Sequence, residues 1–600
     1  MADSNLAVHA LRAVEHDLSN HSEAAVSAWM ADWERAWTSP HRDRIAPLLR
    51  VDSHWRDLVA FSGTMRTRSG RDAFVGLMVD EFEAQRPHSL RPHSQKPSVR
   101  VSELDGVQFV ETTFEFDTDR AACEGVVRLA TCPETGSLKV WTLMTAAIAW
   151  CGQEEIHRRA ENPAIHMQRD RGPNWLDRRE ASAKYEDRDP QVIVVGAGHA
   201  GLGIAARLTQ LGLDTLVVER HARVGDNWRK RYRALVLHNR TRINHLPYMP
   251  FPETWPTYIP KDKLADWLCY YAEAMELNVW TGTEFTGAER DEAAGIWHVT
   301  LERSDGSTQT LRPAHLVLAP GVSAIPNRVE IDDIENFEGT VVHAQDFTGS
   351  KDWQGKRAVV IGSGTSAHDV AQELATNGVP VTMLQRSPTL VQSVEPTGQL
   401  PYTLYETERS VDTCDLITAG SPMIMVRATN KKCLTEGLEI DRELLDRLRK
   451  TGFRLQEGTE HGRNWQILYL TRGGGYYFNV GCSDLIADGT IPVHQMDDLD
   501  LFEGGGLRMK DGSLIPADVI VTATGYHGIP EFVRRLLGDE IADRVGQIWG
   551  IDDDMQELAN IWHRTPQQGL WFMAGSFAQC RINSRYLALQ IQADVLGLGH

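Results

Sequence analysis

The sequence predicts an α/β protein with two Rossmann-type dinucleotide-binding domains, preceded by a smaller α+β domain. Two similar segments predict the paired domains, because a strand, a glycine-rich turn and a helix occur in order from Gln191 and again from about Arg357. The residues before 150 differ, since they combine one helical stretch with runs of alternating apolar and polar residues. From residue 191 onward strands alternate with helices, a pattern typical of parallel sheets.

The composition narrows the classes of function. The formal net charge of −20 argues against binding to nucleic acid or to an anionic membrane. No segment reaches the roughly 18 consecutive apolar residues of a transmembrane helix, and the first residues lack a signal-peptide pattern. The eight cysteines contain no CxxC pair, which argues against a zinc site or a disulfide scaffold. We therefore expect a cytoplasmic protein with no metal, nucleic-acid or membrane partner.

The chain is predicted to divide into five segments. Residues 23–37 have helical periodicity, with Trp29, Trp33 and Trp37 expected in a core. Antiparallel strands are predicted at 107–116, 125–131 and 138–149. The segments are an α+β domain (1–150), a linker (151–190), the first part of one dinucleotide-binding domain (191–350), a second such domain (351–510) and the return to the first (511–600).

The first glycine-rich turn has the spacing of a dinucleotide fingerprint. Gly196 permits the tight turn out of the strand, Gly198 lets the backbone approach a pyrophosphate, and Gly201 lets the helix pack on the strand. The helix N-terminus then presents free N–H groups to the phosphates. Glu219 ends the next strand, about twenty residues later, where an acid accepts hydrogen bonds from ribose hydroxyls.

The second turn predicts a nicotinamide nucleotide site. Gly362, Gly364 and Ser366 occupy the turn and the start of its helix. The following strand ends near Arg386 instead of an acid, and an arginine can pair with a 2′-phosphate. This favours NADPH over NADH. The alternative is that Arg386 is a solvated surface charge and that either nucleotide binds.

Two dinucleotide sites in one chain indicate an electron relay from nicotinamide to flavin and onward. One large group of such proteins passes the electrons to a redox disulfide, and another passes them to dioxygen. The sequence has no cysteine pair of the kind that a redox disulfide needs. Dioxygen is therefore the expected acceptor.

Several motifs in order resemble the class B flavoprotein monooxygenases, and in particular flavin-containing monooxygenases. Residues 337–347 resemble the fingerprint FxGxxxHxxx(Y/F), with His343 at its histidine. Residues 225–228 resemble the flavin contact GGxW, although Asp226 replaces a glycine. Further resemblances are the ATGY-like segment 521–526, the loop 246–252, which is similar to indole-pyruvate-type monooxygenases, and the returning strand and turn 571–576. The resemblance covers about residues 190–600.

The resemblance implies FAD at the first turn and NADPH, or NADH, at the second. It implies flavin contacts from Asp226, Trp228, Thr524 and Gly525. The N-terminal region is similar to the cone-shaped nuclear-transport-factor-two-like (SnoaL-like) domain of N-terminally extended, type II members. We expect this domain to support the fold or to dimerise, so a homodimer is one possible assembly. The alternative is that residues 55–57 line a pocket.

The implied reaction inserts one atom of dioxygen into a small organic substrate through a flavin hydroperoxide. N-oxygenation, S-oxygenation and oxidative decarboxylation are the expected types. Baeyer–Villiger oxidation of ketones is the alternative, and a flavin electron transferase or NADPH oxidase is the alternative of another class. The resemblance makes Asn239 a candidate donor to the hydroperoxide, or else an ordinary turn residue. His343 is a candidate catalytic group, or else an organiser of the linker between domains.

Overall fold

The computed structural model describes residues 22–156, 172–458 and 462–598. The predicted helix at 23–37 and all of the predicted strands fall inside these ranges, whereas residues 157–171 of the predicted linker lie outside them. Within these ranges no helix combines the length and the apolar character needed to cross a membrane.

The N-terminal unit is a seven-stranded sheet with helices packed against it. Its strands pair antiparallel, except that Leu49–Leu58 and Leu138–Trp150 run parallel. Its helices are Ser22–Thr38, Arg42–Ile45 and Arg71–Gln85, with a 3₁₀ turn at Ala46–Leu48. Its strands are Leu49–Leu58, Met65–Ser69, His88–Pro92, Val99–Leu104, Val107–Asp117, Ala121–Thr131 and Leu138–Trp150.

Aromatic side chains fill the interior between this sheet and its helices. Trp29, Trp33 and Trp37 are buried, as their helical spacing predicts. Trp55 is also buried, and it stacks on Phe74 with 5.7 Å between ring centroids. The three antiparallel strands predicted from the sequence are confirmed. The strand Leu49–Leu58 was not predicted, because its polar residues interrupt simple alternation.

The first dinucleotide unit contains a five-stranded parallel sheet. Across the sheet the order is Asn278–Trp280, Thr215–Val218, Val192–Val195, His315–Leu318 and Leu570–Phe572. A three-stranded antiparallel sheet is attached to it, with strands Thr283–Asp291, Ile296–Arg303 and Thr308–Leu311. The helices of this part are Trp175–Ala183, His199–Gln210, Asp226–Arg229, Lys261–Ala274, Ile529–Leu537, Asp539–Val545 and Phe577–Leu596.

The second dinucleotide unit has its own five-stranded parallel sheet. Across the sheet the order is Thr340–His343, Val519–Thr522, Ala358–Ile361, Val381–Gln385 and Val493–Gln495. Its first two strands come from opposite sides of the predicted segment 351–510. The sheet therefore extends beyond both predicted boundaries, because each of these strands completes its hydrogen bonds on the second sheet and not on the first.

The remaining elements belong to none of the sheets described above. The helices are Thr365–Thr376, Val411–Ala419, Met423–Ile440, Arg442–Lys450, Trp465–Arg472 and Cys482–Ala487. The 3₁₀ segments are Thr241–Ile243, Ile334–Asn336, Ser350–Trp353, Thr397–Glu406 and Met496–Asp498. The small sheets are Leu390–Ser393 with Tyr476–Asn479, Leu499–Glu503 with Gly506–Met509 and Leu514–Pro516, Ile325–Pro326 with Tyr526–His527, and Ile551–Asp552 with Glu557–Leu558.

The N-terminal unit is fastened to the rest of the chain by buried polar contacts. Arg56 forms two hydrogen bonds of 2.7 Å with the carboxylate of Glu557. The indole N–H of Trp150 donates to the carbonyl oxygen of Leu589 at 3.0 Å. Residues 55–57 are therefore used in core packing and docking, and none of them lines the cavity described below.

Candidate active site

The first glycine turn is built so that only glycine fits at two of its positions. Gly196 has φ of +105°, and a Cβ there would lie 2.6 Å from the carbonyl oxygen of Ala319. A Cβ on Gly201 would lie 1.8 Å from the carbonyl oxygen of Gly196. Gly198 precedes the helix His199–Gln210, and the nearest atom to its Cβ would be Asn227 Nδ2 at 3.4 Å. The turn is therefore closely packed at Gly196 and Gly201, whereas the backbone at Gly198 has room for a ligand.

Glu219 clamps this turn from the neighbouring strand. Its carboxylate accepts hydrogen bonds from the backbone N–H of Ala197 at 2.9 Å and of His221 at 2.9 Å. The side chain is buried, at 8% exposure. In this arrangement Glu219 stabilises the turn itself, and its binding of a ribose stays a prediction.

The second glycine turn follows the strand Ala358–Ile361, at the centre of the other parallel sheet. Gly362 has φ of +128°, and a Cβ there would lie 2.6 Å from the carbonyl oxygen of Ala523. A Cβ on Gly364 would meet no atom within 4 Å. The helix Thr365–Thr376 begins immediately after it and carries Ser366 in its first turn. A phosphate could therefore approach the backbone at Gly364 and meet the N–H groups of the helix start.

A cavity of about 1460 Å³ lies between the two glycine turns. The predicted residues that line it are Asp226, Trp228, Asn239, His343, Gly362, Gly364, Ser366, Arg386, Thr524 and Gly525. The four predicted residues of the first turn, Gly196, Gly198, Gly201 and Glu219, do not line the cavity, and their chain neighbours His199, Ala200, Arg220 and His221 do so instead.

Arg386 is exposed at the mouth of this cavity. It forms no ion pair or hydrogen bond with any residue in the described part of the chain. Its guanidinium group is therefore available to an anionic ligand, and pairing with a 2′-phosphate stays a prediction.

Asp226 and Trp228 lie on the short helix Asp226–Arg229. The helix follows Gly225, where a Cβ would lie 2.3 Å from the carbonyl oxygen of Ala265. Asp226 accepts a hydrogen bond of 3.0 Å from Arg229. The buried indole N–H of Trp228 has no partner among the described residues, although the side chain lines the cavity. This donor is suited to a polar group of a bound ligand.

Asn239 is held on the cavity wall by its backbone. The side chain of Asn244 donates to the carbonyl oxygen of Asn239 at 2.8 Å. The Asn239 Nδ2 atom lies 3.5 Å from the hydroxyl oxygen of Tyr402. Its Oδ1 atom is buried and has no hydrogen-bond partner within the described residues. The side chain of Asn239 is therefore buried at the cavity, and its donation to a hydroperoxide stays a prediction.

His343 ends the strand Thr340–His343 and is 2% exposed. Its Nδ1 atom accepts a hydrogen bond of 3.1 Å from the backbone N–H of Gln345. Burial and the nearby Arg328 lower the pKa of the imidazole, against smaller opposing effects of Asp346 and of the Gly525 carbonyl. The lowered pKa favours the neutral ring at pH 7, and both the catalytic and the organising role of His343 stay predictions.

Thr524 and Gly525 join the second sheet to the segment that leaves the first sheet. The Thr524 hydroxyl donates to the carbonyl oxygen of Asn327 at 2.6 Å. The backbone N–H of Asn327 donates to the carbonyl oxygen of Gly525 at 2.9 Å. These bonds fix both residues on the cavity wall.

Sequence reasoning missed the aromatic side of the cavity. Tyr402, Trp465 and Tyr469 line it, and they come from two segments that carry no recognisable motif. The one sequence signal for this side is the glycine run before Tyr476, since residues 473–476 line the cavity.

Local sequence explains how this side is positioned. Asn464 caps the helix Trp465–Arg472 by accepting a hydrogen bond from the Trp465 N–H at 2.8 Å. Gly473 ends the helix with φ of +70°, a conformation that glycine adopts without strain. The chain then turns back, so that Tyr476 lies 5.9 Å from Trp465 between ring centroids.

Comparisons with known proteins show what this chain is similar to. A family model described as pyridine nucleotide-disulphide oxidoreductase matches residues 193–427. A solved flavin-containing monooxygenase from Stenotrophomonas maltophilia is 15% identical, with a TM-score of 0.46, and the match covers 69% of this chain and 100% of that chain. The rice (Oryza sativa subsp. japonica) indole-3-pyruvate monooxygenase YUCCA1 is 29% identical over 362 residues, 60% of this chain and 82% of that protein.

A second plant relative decides the family. The probable indole-3-pyruvate monooxygenase YUCCA8 of Arabidopsis thaliana is 30% identical over 348 residues, 57% of this chain and 76% of that protein. The chain belongs to the class B flavoprotein monooxygenases. It is an oxidoreductase, and its cofactors are FAD and NADPH.

The cysteines distinguish this monooxygenase from the disulphide oxidoreductases named in the family model. All eight lie in the described residues, and all are free thiols. None of them lines the cavity between the glycine turns. A relay through a redox disulfide therefore has no cysteine pair at this site.

Proposed function

We propose that this monooxygenase transfers one oxygen atom of dioxygen to a nucleophilic nitrogen or sulfur atom of a small organic substrate. The observation that carries the proposal is one cavity of about 1460 Å³, which is lined by the second glycine turn, by residues adjacent to the first turn and by an aromatic wall. A cavity of this kind brings two nucleotides and a substrate together without a separate channel. FAD supplies the redox chemistry when bound, since it accepts hydride from NADPH and reacts with dioxygen.

The residues present fit two dinucleotides. The first turn would hold the pyrophosphate of FAD at the start of the helix His199–Gln210, with Glu219 beside the ribose. The second would hold NADPH at Gly364, with Arg386 at the 2′-phosphate. Unpartnered buried atoms at Trp228 and Asn239 support the assignment, because buried polar groups normally have a partner.

Two histidines that line this cavity, His238 and His343, have lowered pKa values. Burial lowers the pKa of His238 to about 4, so its imidazole is neutral at pH 7. The pKa of His343 is also lowered, mainly by burial. Oxygen transfer to a soft nucleophile needs no strong general acid, and we propose that Asn239 orients the reacting groups while the aromatic wall excludes water.

We also propose that the N-terminal unit is a nuclear-transport-factor-two-like supporting domain. Its seven-stranded sheet and helices support this assignment, and aromatic side chains fill its interior. Its contacts with Glu557 and Leu589 support a structural role, since they dock the unit on the first dinucleotide domain. Removal of residues 1–150 should therefore yield insoluble protein, whereas a stable, active core would refute the supporting role.

A substrate screen tests the proposed reaction. Purified protein should be yellow, and NADPH should be consumed in step with formation of an N-oxide or sulfoxide detected by mass spectrometry. Ketones and keto acids belong in the same screen. An ester from a ketone would favour Baeyer–Villiger oxidation, and loss of carbon dioxide from a keto acid would favour oxidative decarboxylation. Complete recovery of NADPH electrons as hydrogen peroxide across the screen would favour an oxidase.

A further inference from the structure

One lobe of the cavity is lined by uncharged, mostly aromatic side chains. We define this aromatic lobe by Asn239, Tyr402, Trp465, Gln466, Tyr469 and Tyr476. The rings form a continuous wall, because Tyr402 lies 5.6 Å and Tyr476 lies 5.9 Å from Trp465 between ring centroids. Aromatic walls of this kind bind flat apolar ligands by stacked or edge-to-face contact.

Two polar atoms in the lobe lack partners among the described residues. The Trp465 indole N–H is a buried donor, and the Asn239 Oδ1 atom is a buried acceptor. Trp465 is 4% exposed and Asn239 is 8% exposed, and both line the cavity. Because an unmade buried hydrogen bond costs free energy, a ligand that satisfies either atom gains affinity.

The cations that line the cavity belong to other parts of its wall. They are Arg220, Lys230, Arg231 and Arg386. Arg220 follows the second strand of the first sheet, and Arg386 follows the fourth strand of the second sheet. Lys230 and Arg231 follow the short helix that carries Trp228. No residue of the aromatic lobe is charged.

The buried ion pair between Arg581 and Asp415 does not supply a cation to the lobe. Arg581 forms two hydrogen bonds of 2.7 Å with Asp415, and its remaining donors bind the carbonyl oxygens of Ile243 and His245. A carboxylate in the lobe would therefore lose its hydration without gaining a cationic partner, which is costly in a buried site.

We infer that the substrate is an uncharged aromatic molecule with a hydrogen-bond acceptor for Trp465, and that organic carboxylates bind poorly. This inference rests on the proposed function, because it assigns the aromatic lobe to the substrate. Trp465 is then a specificity-determining residue, which orients the ligand through its indole N–H. Asn239 accepts a donor of the same ligand, such as an amide N–H.

Two probes of the same shape and different charge test this inference. The probes are para-(methylthio)benzamide, which is neutral, and para-(methylthio)benzoate, which is a carboxylate. Their dissociation constants are measured by titration calorimetry on the FAD-loaded, full-length protein without NADPH. We expect the amide to bind at least tenfold more tightly than the carboxylate. Equal binding, or tighter binding of the carboxylate, would overturn the inference.

A variant tests the role of the indole N–H. Trp465→Phe keeps a ring and removes the donor, and it should weaken amide binding about tenfold, the loss expected for one hydrogen bond. Trp255→Phe is the matched control, because Trp255 lies outside the cavity wall, and it should bind the amide as the wild type does. Unchanged binding by a folded Trp465→Phe variant would refute the role of Trp465.

Two further readouts distinguish misfolding of the Trp465→Phe variant from a wrong substrate class or a wrong reaction. The FAD content of Trp465→Phe reports whether the variant folds, and Tyr402→Phe replaces it if it does not. Tyr402→Phe should weaken amide binding by releasing the side chain of Asn239 from its neighbour. The binding assay requires no turnover. Tight amide binding without sulfoxide formation would therefore contradict the proposed reaction while supporting the inferred substrate class.

Discussion

Arg128, in the N-terminal sheet, donates a hydrogen bond to the carbonyl oxygen of Gly420, 292 residues further along the chain. Gly420 follows the helix Val411–Ala419, and Arg128 also donates to the carbonyl oxygen of Ile417 at 3.2 Å. Arg56 donates to Ala419 at 2.7 Å. Two cations at a helix C-terminus stabilise its unpaired carbonyl groups. Since Thr418 of this helix lines the cavity, the N-terminal unit supports the cavity wall.

Removal of the Arg128 side chain should therefore destabilise both the N-terminal unit and the cavity wall that it supports. In Arg128→Met the fully buried Glu111 loses one of its two arginine partners, which costs about 3–5 kcal/mol for a buried pair. We expect a lower melting temperature, and a larger share of NADPH electrons lost as peroxide. Arg534→Met is the control, because Arg534 forms only exposed ion pairs. Equal effects of the two substitutions would contradict the docking role.

The two glycines of the second turn should respond differently to alanine. Gly362→Ala places a Cβ 2.6 Å from a backbone oxygen at φ of +128°, so the variant should melt earlier. Gly364→Ala meets no atom, so its melting temperature should stay at the wild-type value. Its Cβ would instead obstruct the nucleotide, and the KM for NADPH should rise about tenfold or more.

This pair of variants separates folding from binding. Differential scanning fluorimetry gives the melting temperatures, and steady-state kinetics gives the KM values. If Gly364→Ala bound NADPH normally, the second turn would not be the pyrophosphate site.

Arg386 should discriminate between the two nicotinamide nucleotides. Arg386→Ala removes a charged partner of the 2′-phosphate, and the KM for NADPH should rise about 10–100-fold, the range for a hydrogen bond to a charged group. The KM for NADH should change little, since NADH lacks that phosphate. Arg357→Ala is a control on the same sheet, because Arg357 pairs with Asp518 at the surface. Equal changes for both nucleotides would remove the assignment.

Much of the nucleotide framework could be predicted from sequence, because it depends on local geometry. Gly196 and Gly362 adopt positive φ beside a neighbouring strand, a requirement that a glycine motif records directly. The aromatic lobe could not be predicted in this way. Tyr402 and Trp465 come from segments more than sixty residues apart, and only tertiary packing brings their rings to 5.6 Å. The strand Thr340–His343 likewise joins the second sheet only by pairing with Val519–Thr522, which lies far along the chain.

Buried histidines should make stability fall at acidic pH. Burial lowers the pKa of His238 to about 4, from an ordinary value of 6.5. Between pH 6.5 and 4 the unfolded chain binds a proton at this site and the folded chain does not. The contribution of neutral His238 to the free energy of unfolding is therefore complete above pH 6.5. Below that pH the free energy of unfolding declines, by about 1–2 kcal/mol at pH 5 for this residue.

Melting temperatures at pH 7.5 and 5 measure this effect. His238→Gln removes the titrating group, so its melting temperature should fall less than that of the wild type between the two pH values. His298→Gln is the control, because His298 is exposed on its strand. Identical pH dependence in His238→Gln and the wild type would show that His238 titrates normally.

Isotopic labelling of the product tests the central claim most directly. The FAD-loaded protein is given NADPH, the neutral thioether para-(methylthio)benzamide and dioxygen labelled with heavy oxygen. We expect one labelled oxygen atom in the sulfoxide, with one NADPH oxidised for each product molecule. An unlabelled sulfoxide, or release of all the electrons as hydrogen peroxide without any labelled product, would contradict it.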